Sequence, residues 1–122
     1  METSVPLDNR RTSLLLIALI VSGLLLMIGL TWLNYIYTSQ DSGPNDFYPA
    51  WLASRALLLR GLSPYDAEAI TGSALSLSGG RLSDQVGRYA LHYPIHAVLI
   101  FAPLALISDP FLARAVWMTV LE

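Results

Sequence analysis

One carboxylate stands at the start of an apolar segment in "GPNDFYPAWLASRALLLRG", residues 43 to 61. Asp46 follows a turn-forming Gly-Pro-Asn and precedes a run of aromatic and aliphatic residues. A carboxylate within hydrogen-bond reach of a hydroxyl group can act as a general base. Asp is also one of the best N-cap residues, and the helix dipole favours its negative charge. The two roles are compatible, so these residues leave both open.

Two histidines offer a second possible chemistry. His92 and His96 are four residues apart, a spacing that could serve a metal ion if both lay on one helix face. Pro94 lies between them, however, and no acidic residue stands beside either. We therefore expect histidines at a membrane boundary, and we expect neither a metal site nor a cofactor.

Other motifs and classes are excluded by residue content. The chain has no Cys, which rules out disulfides, iron–sulfur clusters and thiolate zinc sites. It has no glycine loop for phosphate and no Ser-His-Asp order typical of a hydrolase. Its seven basic residues are all Arg and are outnumbered by nine acidic residues, for a net charge of −2. Without a basic face, nucleic acid is not an expected partner.

Composition indicates a membrane protein. Of 122 residues, 54% are hydrophobic and 13% charged, and the mean hydropathy is +0.53. An ordinary soluble domain is about 25% charged. We therefore expect an all-α membrane protein, the amino-terminal part of a longer polytopic fold.

The first transmembrane helix is predicted over residues 14 to 37, which carry no charge. At about 1.5 Å per residue this segment reaches roughly 36 Å, enough to cross a hydrocarbon core of about 30 Å. Arg10 and Arg11 precede it and aromatic residues crowd its far end, which predicts a cytoplasmic amino terminus at residues 1 to 13. A cleaved signal peptide and a twin-arginine export signal are disfavoured, because the apolar run is too long and no cleavage site follows.

Residues 38 to 93 are predicted to form an outer loop with two helices. The first, residues 47 to 60, is apolar nearly all round yet only about 21 Å long, so we expect it to lie on the outer membrane surface. Gly61 is placed to end it. Asp66 can cap a second, short helix over about residues 67 to 77.

Two further helices are predicted after the loop. Residues 94 to 107 are expected to form a short transmembrane helix kinked at Pro103, residues 108 to 110 a cytoplasmic turn, and residues 111 to 122 the start of a third transmembrane helix. This arrangement keeps Asp109 out of the membrane centre, where a charge costs roughly 2.5 to 3.5 kcal/mol. It also puts Arg114 on the cytoplasmic side with the paired arginines before the first helix. We expect the natural chain to continue beyond these residues.

The segments "NDFYPAWLASRALLLRGLSPYD" and "YALHYPIHAVLIFAPLALISDPFLARAVW" resemble the start of the family 87 glycosyltransferases. These are integral membrane mannosyltransferases of the glycosyltransferase-C superfamily. The resemblance covers about residues 43 to 117. It is carried by Asp46-Phe47, the Ala-rich helix ending at Gly61, Ser63-Pro64-Tyr65-Asp66, Tyr93-Pro94 and Ala102-Pro103-Leu104. One departure is Ile95, where the family often has a second proline after Tyr-Pro.

The resemblance implies a multi-pass transferase of the plasma membrane that takes a sugar from a polyprenyl-phosphate donor at the outer face. Asp46 then occupies the position of the proposed catalytic base, and the acceptor is a glycan or a lipid. The leaving lipid phosphate carries negative charge, which an arginine or a bound divalent cation could stabilise. The candidate substrate-binding residues are Arg55, Arg60, Arg81, Arg88 and Tyr93.

Two other classes of protein are compatible with the residues. A small noncatalytic membrane subunit could use residues 47 to 60 and the third helix to dock on a larger membrane complex. A transporter fragment is less favoured, because no charge lies within the first spanning segment.

Overall fold

A computed structural model describes residues 9–40, 46–81 and 93–122. The described residues form helices and contain no strand. The five α-helices are α1 (Asn9–Gln40), α2 (Phe47–Arg60), α3 (Ala67–Ser78), α4 (His96–Ile100) and α5 (Pro110–Leu121), and a 3-10 helix covers Leu104–Leu106.

Helix α1 is long and apolar enough to cross a membrane. Its 32 residues extend over about 48 Å, and its most apolar stretch has a mean hydropathy of 2.8 with none of its residues buried. The helix begins before the predicted residue 14 and continues past residue 37, and it includes Arg10 and Arg11 near its amino-terminal end. Among the described residues it is the one helix that meets the length and hydropathy requirements of a span.

Helix α5 packs antiparallel against the carboxyl-terminal half of α1 through a row of polar side chains. The Thr38 hydroxyl donates to the carbonyl of Phe111 at 3.0 Å, and the Asn34 amide donates to the Thr119 hydroxyl at 3.1 Å. Higher residue numbers in α5 therefore face lower numbers in α1. Hydrogen bonds of this kind join helices in apolar surroundings, at about 0.6 kcal/mol each.

This pairing overturns the predicted position of the turn at residues 108 to 110. The Tyr35 hydroxyl donates to Asp109 at 3.4 Å, so the turn lies beside the carboxyl-terminal end of α1. The Arg114 guanidinium lies 5.9 Å from the ring centre of Tyr37. Arg11 is about 40 Å away from Tyr37 along the helix axis. The prediction that Arg114 shares a side with the arginines before the first helix is therefore wrong.

The segment of residues 94 to 107 does not form the predicted transmembrane helix, which explains the altered position of the turn. Helix α4 has five residues, about 8 Å, and the chain then turns into the 3-10 helix. Pro103 has no N–H, and its ring clashes with the carbonyl of Leu99, which disfavours an α-helix through this position. The segment folds back onto α2 instead of crossing.

Helix α2 has the predicted bounds and forms the centre of the packed region. Trp51 and Leu52 are fully buried, and burial of each side chain stabilises the fold by roughly 1.5 to 3 kcal/mol. The apolar circumference of this helix is thus covered mainly by α3, α4, the 3-10 helix and α5 rather than by lipid alone. Only its last turn, with Leu58 and Leu59, exposes apolar side chains.

Both ends of the α2–α3 connection follow local sequence rules. Gly61 adopts a left-handed conformation with φ of 63°, and the N–H of Leu62 donates to the carbonyl of Ala56 at 3.0 Å. The N–H of Gly61 donates to the carbonyl of Leu57 at 3.2 Å, which is the bond of an αL C-cap, so the helix ends as predicted. The Asp66 carboxylate accepts from the N–H of Glu68 at 3.1 Å and so caps α3, which ends at Ser78.

Candidate functional site

Asp46 lies at the N-cap position of α2 but does not cap the helix with its side chain. Its backbone is in the right-handed helical region, with φ of −79° and ψ of −8°, and its carboxylate makes no cap hydrogen bond. Pro49, three residues on, has no N–H to donate, which removes one of the two usual partners of a capping carboxylate. The capping interpretation of Asp46 is therefore wrong, and its side chain is exposed.

The hydroxyl of Tyr93 donates a hydrogen bond to this carboxylate. Desolvation, the negative charge of Asp46 and the hydrogen bond to it all raise the pKa of the Tyr93 hydroxyl above its ordinary value. Tyr93 is therefore a neutral donor at physiological pH. Its side chain is 40% exposed, so the pair lies at the surface and is open to a ligand.

A second tyrosine, Tyr65, forms a hydrogen bond to the backbone of Tyr93. The Tyr65 hydroxyl donates to the carbonyl of Tyr93 at 3.3 Å. Tyr65 lies in the turn between α2 and α3, and Tyr93 precedes α4, so the bond joins two loops that are remote in sequence. The sequence predicts Tyr65 only as part of a turn and not as a site residue. Its position in the Ser-Pro-Tyr-Asp turn, two residues after Ser63, was the one sequence feature that could have indicated a role at the site.

Arg55, a predicted substrate-binding residue, donates hydrogen bonds within the protein. One guanidinium nitrogen donates to the carbonyl of Ala105 and, at 3.0 Å, to that of Ile107. The guanidinium also lies 5.3 Å from the ring centre of Trp51. Partial burial lowers the pKa of Arg55 from its ordinary value. Arg55 thus satisfies carbonyls that the broken segment after α4 leaves without helical partners.

Two other side chains of α2 bond to the same segment. The Trp51 indole N–H donates to the carbonyl of Leu104 at 2.9 Å, and the Ser54 hydroxyl donates to that of Val98 at 3.0 Å. A buried carbonyl without a partner costs about 1 to 3 kcal/mol. The polar residues of α2 therefore fix the irregular segment, and with it Tyr93, relative to Asp46.

The remaining predicted arginines are dispersed. Arg60 donates to the Ser73 hydroxyl, and the Arg81 guanidinium lies 4.2 Å from the ring centre of Phe111. Arg88 lies outside the described residues. No contact in the described part of the chain joins Arg55, Arg60 or Arg81 to Asp46.

Arg114, which the sequence predicts to lie on the cytoplasmic side, is a cation close to the first turn of α2. Its guanidinium lies 5.8 Å from the ring centre of Tyr48, in the first turn of α2, as well as beside Tyr37. Tyr48 is two residues from Asp46. Arg114 is therefore nearer the amino-terminal end of α2 than the predicted phosphate-binding residues Arg55 and Arg60 are.

The described residues include two cavities away from Asp46. An apolar groove of about 570 Å³ lies between α1 and α5 and ends at Tyr35 and Asp109. A more polar cavity of about 500 Å³ lies between α2 and α3. His96 begins α4, whereas His92 is outside the described residues. No group of three or more His, Asp or Glu that could hold a metal is found within ranges 9–40, 46–81 and 93–122.

Comparison of the chain with protein-family models, with curated proteins and with solved structures finds no match.

Proposed function

We propose that this protein is an integral membrane glycosyltransferase that transfers a sugar, mannose in the favoured case, from a polyprenyl-phosphate donor to a glycan or lipid acceptor. The reaction takes place at the outer face of the plasma membrane, with Asp46 as general base. One observation carries the proposal: the exposed carboxylate of Asp46 makes no cap hydrogen bond and instead accepts from the Tyr93 hydroxyl. Both residues belong to the motifs that resemble family 87.

The proposed reaction moves one proton and one glycosyl group. The acceptor hydroxyl oxygen attacks the anomeric carbon of the donor and forms the new C–O bond. The bond from that carbon to the phosphate oxygen breaks, and its electron pair leaves with the polyprenyl phosphate. Asp46 takes the acceptor proton, which is the work of a positioned carboxylate. A carboxylate has two acceptor oxygens, so Asp46 can accept from Tyr93 and from the acceptor hydroxyl at the same time.

The position of Asp46 in the chain suits a lipid-linked donor. Asp46 lies six residues after Gln40, the last residue of the helix that can span the membrane. With the amino terminus in the cytoplasm, as Arg10 and Arg11 favour, the carboxylate lies near the outer headgroup layer, where the donor phosphate is anchored. In this topology α5 enters the membrane from the outer side, antiparallel to α1, as the first part of a multi-pass fold.

Charge stabilisation of the leaving phosphate requires a cation near Asp46. Along the axis of α2, Arg55 lies about 14 Å and Arg60 about 21 Å from Asp46, so neither is close to the reacting atoms. Arg114, beside Tyr48, is the described arginine best located for this role. A divalent cation bound with the donor is the alternative.

The alternative function, a noncatalytic docking subunit, would use the surface of α2. Nine of its fourteen residues, from Phe47 to Ala56, are buried within the chain itself. That surface is not available to a partner, which leaves α5, the third helix predicted from the sequence, as the docking element of this alternative.

The activity can be tested with full-length protein in membrane vesicles and a labelled polyprenyl-phosphate mannose. We expect label to enter a glycan or lipid fraction in vesicles that contain the protein and not in vesicles that lack it. Absence of transfer from polyprenyl-phosphate donors of mannose, glucose and other hexoses would overturn the proposal.

A further inference from the structure

The cavity between α2 and α3 combines cationic and hydroxyl side chains. It has a volume of about 500 Å³, and its lining includes Arg55, Arg60, Ser73 and Ser76. Gly72 also borders it, and a Cβ added at Gly72 would meet nothing within 4 Å, so the cavity is open at this point. Among the described residues, no carboxylate contributes to its lining.

Neither arginine of this cavity is neutralised by a carboxylate in the part of the chain that the structure describes. Arg60 donates to Ser73, and Arg55 donates to backbone carbonyls. A guanidinium has five N–H donors, so each retains donors for a ligand. Burial of a charged group is unfavourable until a counter-charge is supplied, and an anion in the cavity would supply it to Arg55.

The cavity is distant from the proposed catalytic carboxylate. Along the axis of α2, Arg55 is about 14 Å and Arg60 about 21 Å from Asp46. A phosphate held by Arg60 is therefore not the leaving group of a reaction at Asp46. The cavity is a separate site, and its occupation does not depend on sugar transfer.

We propose that this cavity binds a phosphate group, carried by a phospholipid headgroup or as free phosphate. Arginine fits phosphate because its planar fork of donors matches two phosphate oxygens at once. Leu58 is 47% exposed and Leu59 49% exposed at the same end of α2. These apolar side chains suit the acyl chains of a lipid whose headgroup occupies the cavity.

Titration of the full chain in nanodiscs tests this proposal. One arm replaces phosphatidylcholine progressively with phosphatidylglycerol, and the other adds inorganic phosphate to discs of phosphatidylcholine alone. The side-chain N–H resonances of isotope-labelled arginine report binding. Arg60→Gln removes a ligand, and Gly72→Leu fills the cavity while both arginines stay in place. Arg81→Gln is the matched control, since it removes the same charge outside the cavity.

We expect Arg60→Gln and Gly72→Leu each to weaken binding by on the order of ten-fold, because the first removes charge-assisted hydrogen bonds and the second occupies the cavity, while Arg81→Gln changes it by less than about two-fold. A response to phosphatidylglycerol alone identifies the headgroup as the ligand, and a response to inorganic phosphate identifies the phosphate group itself. If neither probe shifts the Arg55 or Arg60 resonance, or if Arg81→Gln weakens binding as much as Arg60→Gln, the site does not exist.

Discussion

The hydroxyl of Tyr93 donates to the carboxylate of Asp46, although the two residues belong to segments on either side of α2 and α3. The contact depends on the packing of the irregular segment after Tyr93 against α2, where Trp51 and Ser54 hold its carbonyls. A carboxylate that would otherwise be mobile at a helix terminus is thereby oriented by a neutral donor. Such orientation of a base by a second group is common in enzyme sites.

The ionisation of Tyr93 tests this contact. Because desolvation and the charged Asp46 raise the pKa of the Tyr93 hydroxyl, their contact contributes to stability at neutral pH, below the ordinary tyrosine pKa. That contribution is lost as the pH rises through the raised pKa of the folded protein. The ultraviolet absorbance of the Tyr93 phenolate is identified as the part of the signal that is lost in Tyr93→Phe. We expect this absorbance to appear at a pH above the ordinary tyrosine pKa.

The matched variant for this titration is Asp46→Asn, which keeps a hydrogen-bond acceptor but removes the negative charge. We expect it to move the Tyr93 component to lower pH. A Tyr93 signal that titrates identically with Asp and with Asn at position 46 would mean that the two side chains do not interact in solution.

Two aspartates at N-cap positions should respond differently to the same substitutions. The Asp109 carboxylate accepts from the N–H groups of Phe111 at 2.8 Å and Leu112 at 3.2 Å. A serine can replace this function and an alanine cannot, so we expect Asp109→Ser to be about 1 kcal/mol more stable than Asp109→Ala. At Asp46, which makes no cap bond, serine and alanine should agree within about 0.3 kcal/mol.

Unfolding in detergent, followed by circular dichroism, measures both pairs. The comparison of serine with alanine cancels the loss of charge, which affects both positions. A serine advantage at position 46 as large as that at position 109 would show that Asp46 caps α2 after all.

The position of the turn at residues 108 to 110 can be measured because the chain has no Cys of its own. Since Asp109 bonds to Tyr35 near the end of α1, we expect Gln40→Cys and Ser108→Cys to react with an impermeant thiol reagent from the same side of the membrane. Asn9→Cys, at the other end of α1, should react from the opposite side. Labelling of Ser108→Cys together with Asn9→Cys would restore the topology expected from the sequence.

The parts of the fold that could be predicted are those set by neighbouring residues. The bounds of α2 follow from its helix-forming residues and from Gly61, and the cap of α3 follows from Asp66. The central part of α1, residues 14 to 37, follows from an uncharged apolar run, whereas the additional turns at both ends of the helix were not predicted. Each of these features depends on interactions within a few residues of the chain, which composition and spacing describe directly.

The wrong predictions concern residues 94 to 110, whose structure depends on contacts with residues far away in the sequence. Residues 94 to 107 look like a membrane helix because they are apolar, but side chains of α2 supply the hydrogen bonds that allow the segment to be irregular. The position of α5 depends on its pairing with Thr31, Asn34 and Thr38. Their spacing of three and four residues on an otherwise apolar helix was a usable sign of a partner helix on that face.

The candidate site was predicted only in part for the same reason. Asp46 and Tyr93 were both identified, on different grounds, but nothing in their spacing indicated that they meet. Arg55 was expected to bind substrate because an arginine could stabilise the leaving lipid phosphate. In the fold its guanidinium donates to carbonyls of the irregular segment after α4. A sequence pattern cannot reveal this contact, because the segment is about fifty residues away in the chain.

The most direct test of a catalytic Asp46 is sugar transfer by full-length Asp46→Asn protein, folded and inserted in membranes, from a polyprenyl-phosphate donor. Asparagine keeps the size of the side chain but cannot accept the acceptor proton, so we expect transfer to fall by about 10²- to 10⁴-fold. Asp109→Asn, which retains its helix cap, is the matched control and should transfer at a normal rate. Near-normal transfer by folded Asp46→Asn protein would contradict the assignment of Asp46 as the general base.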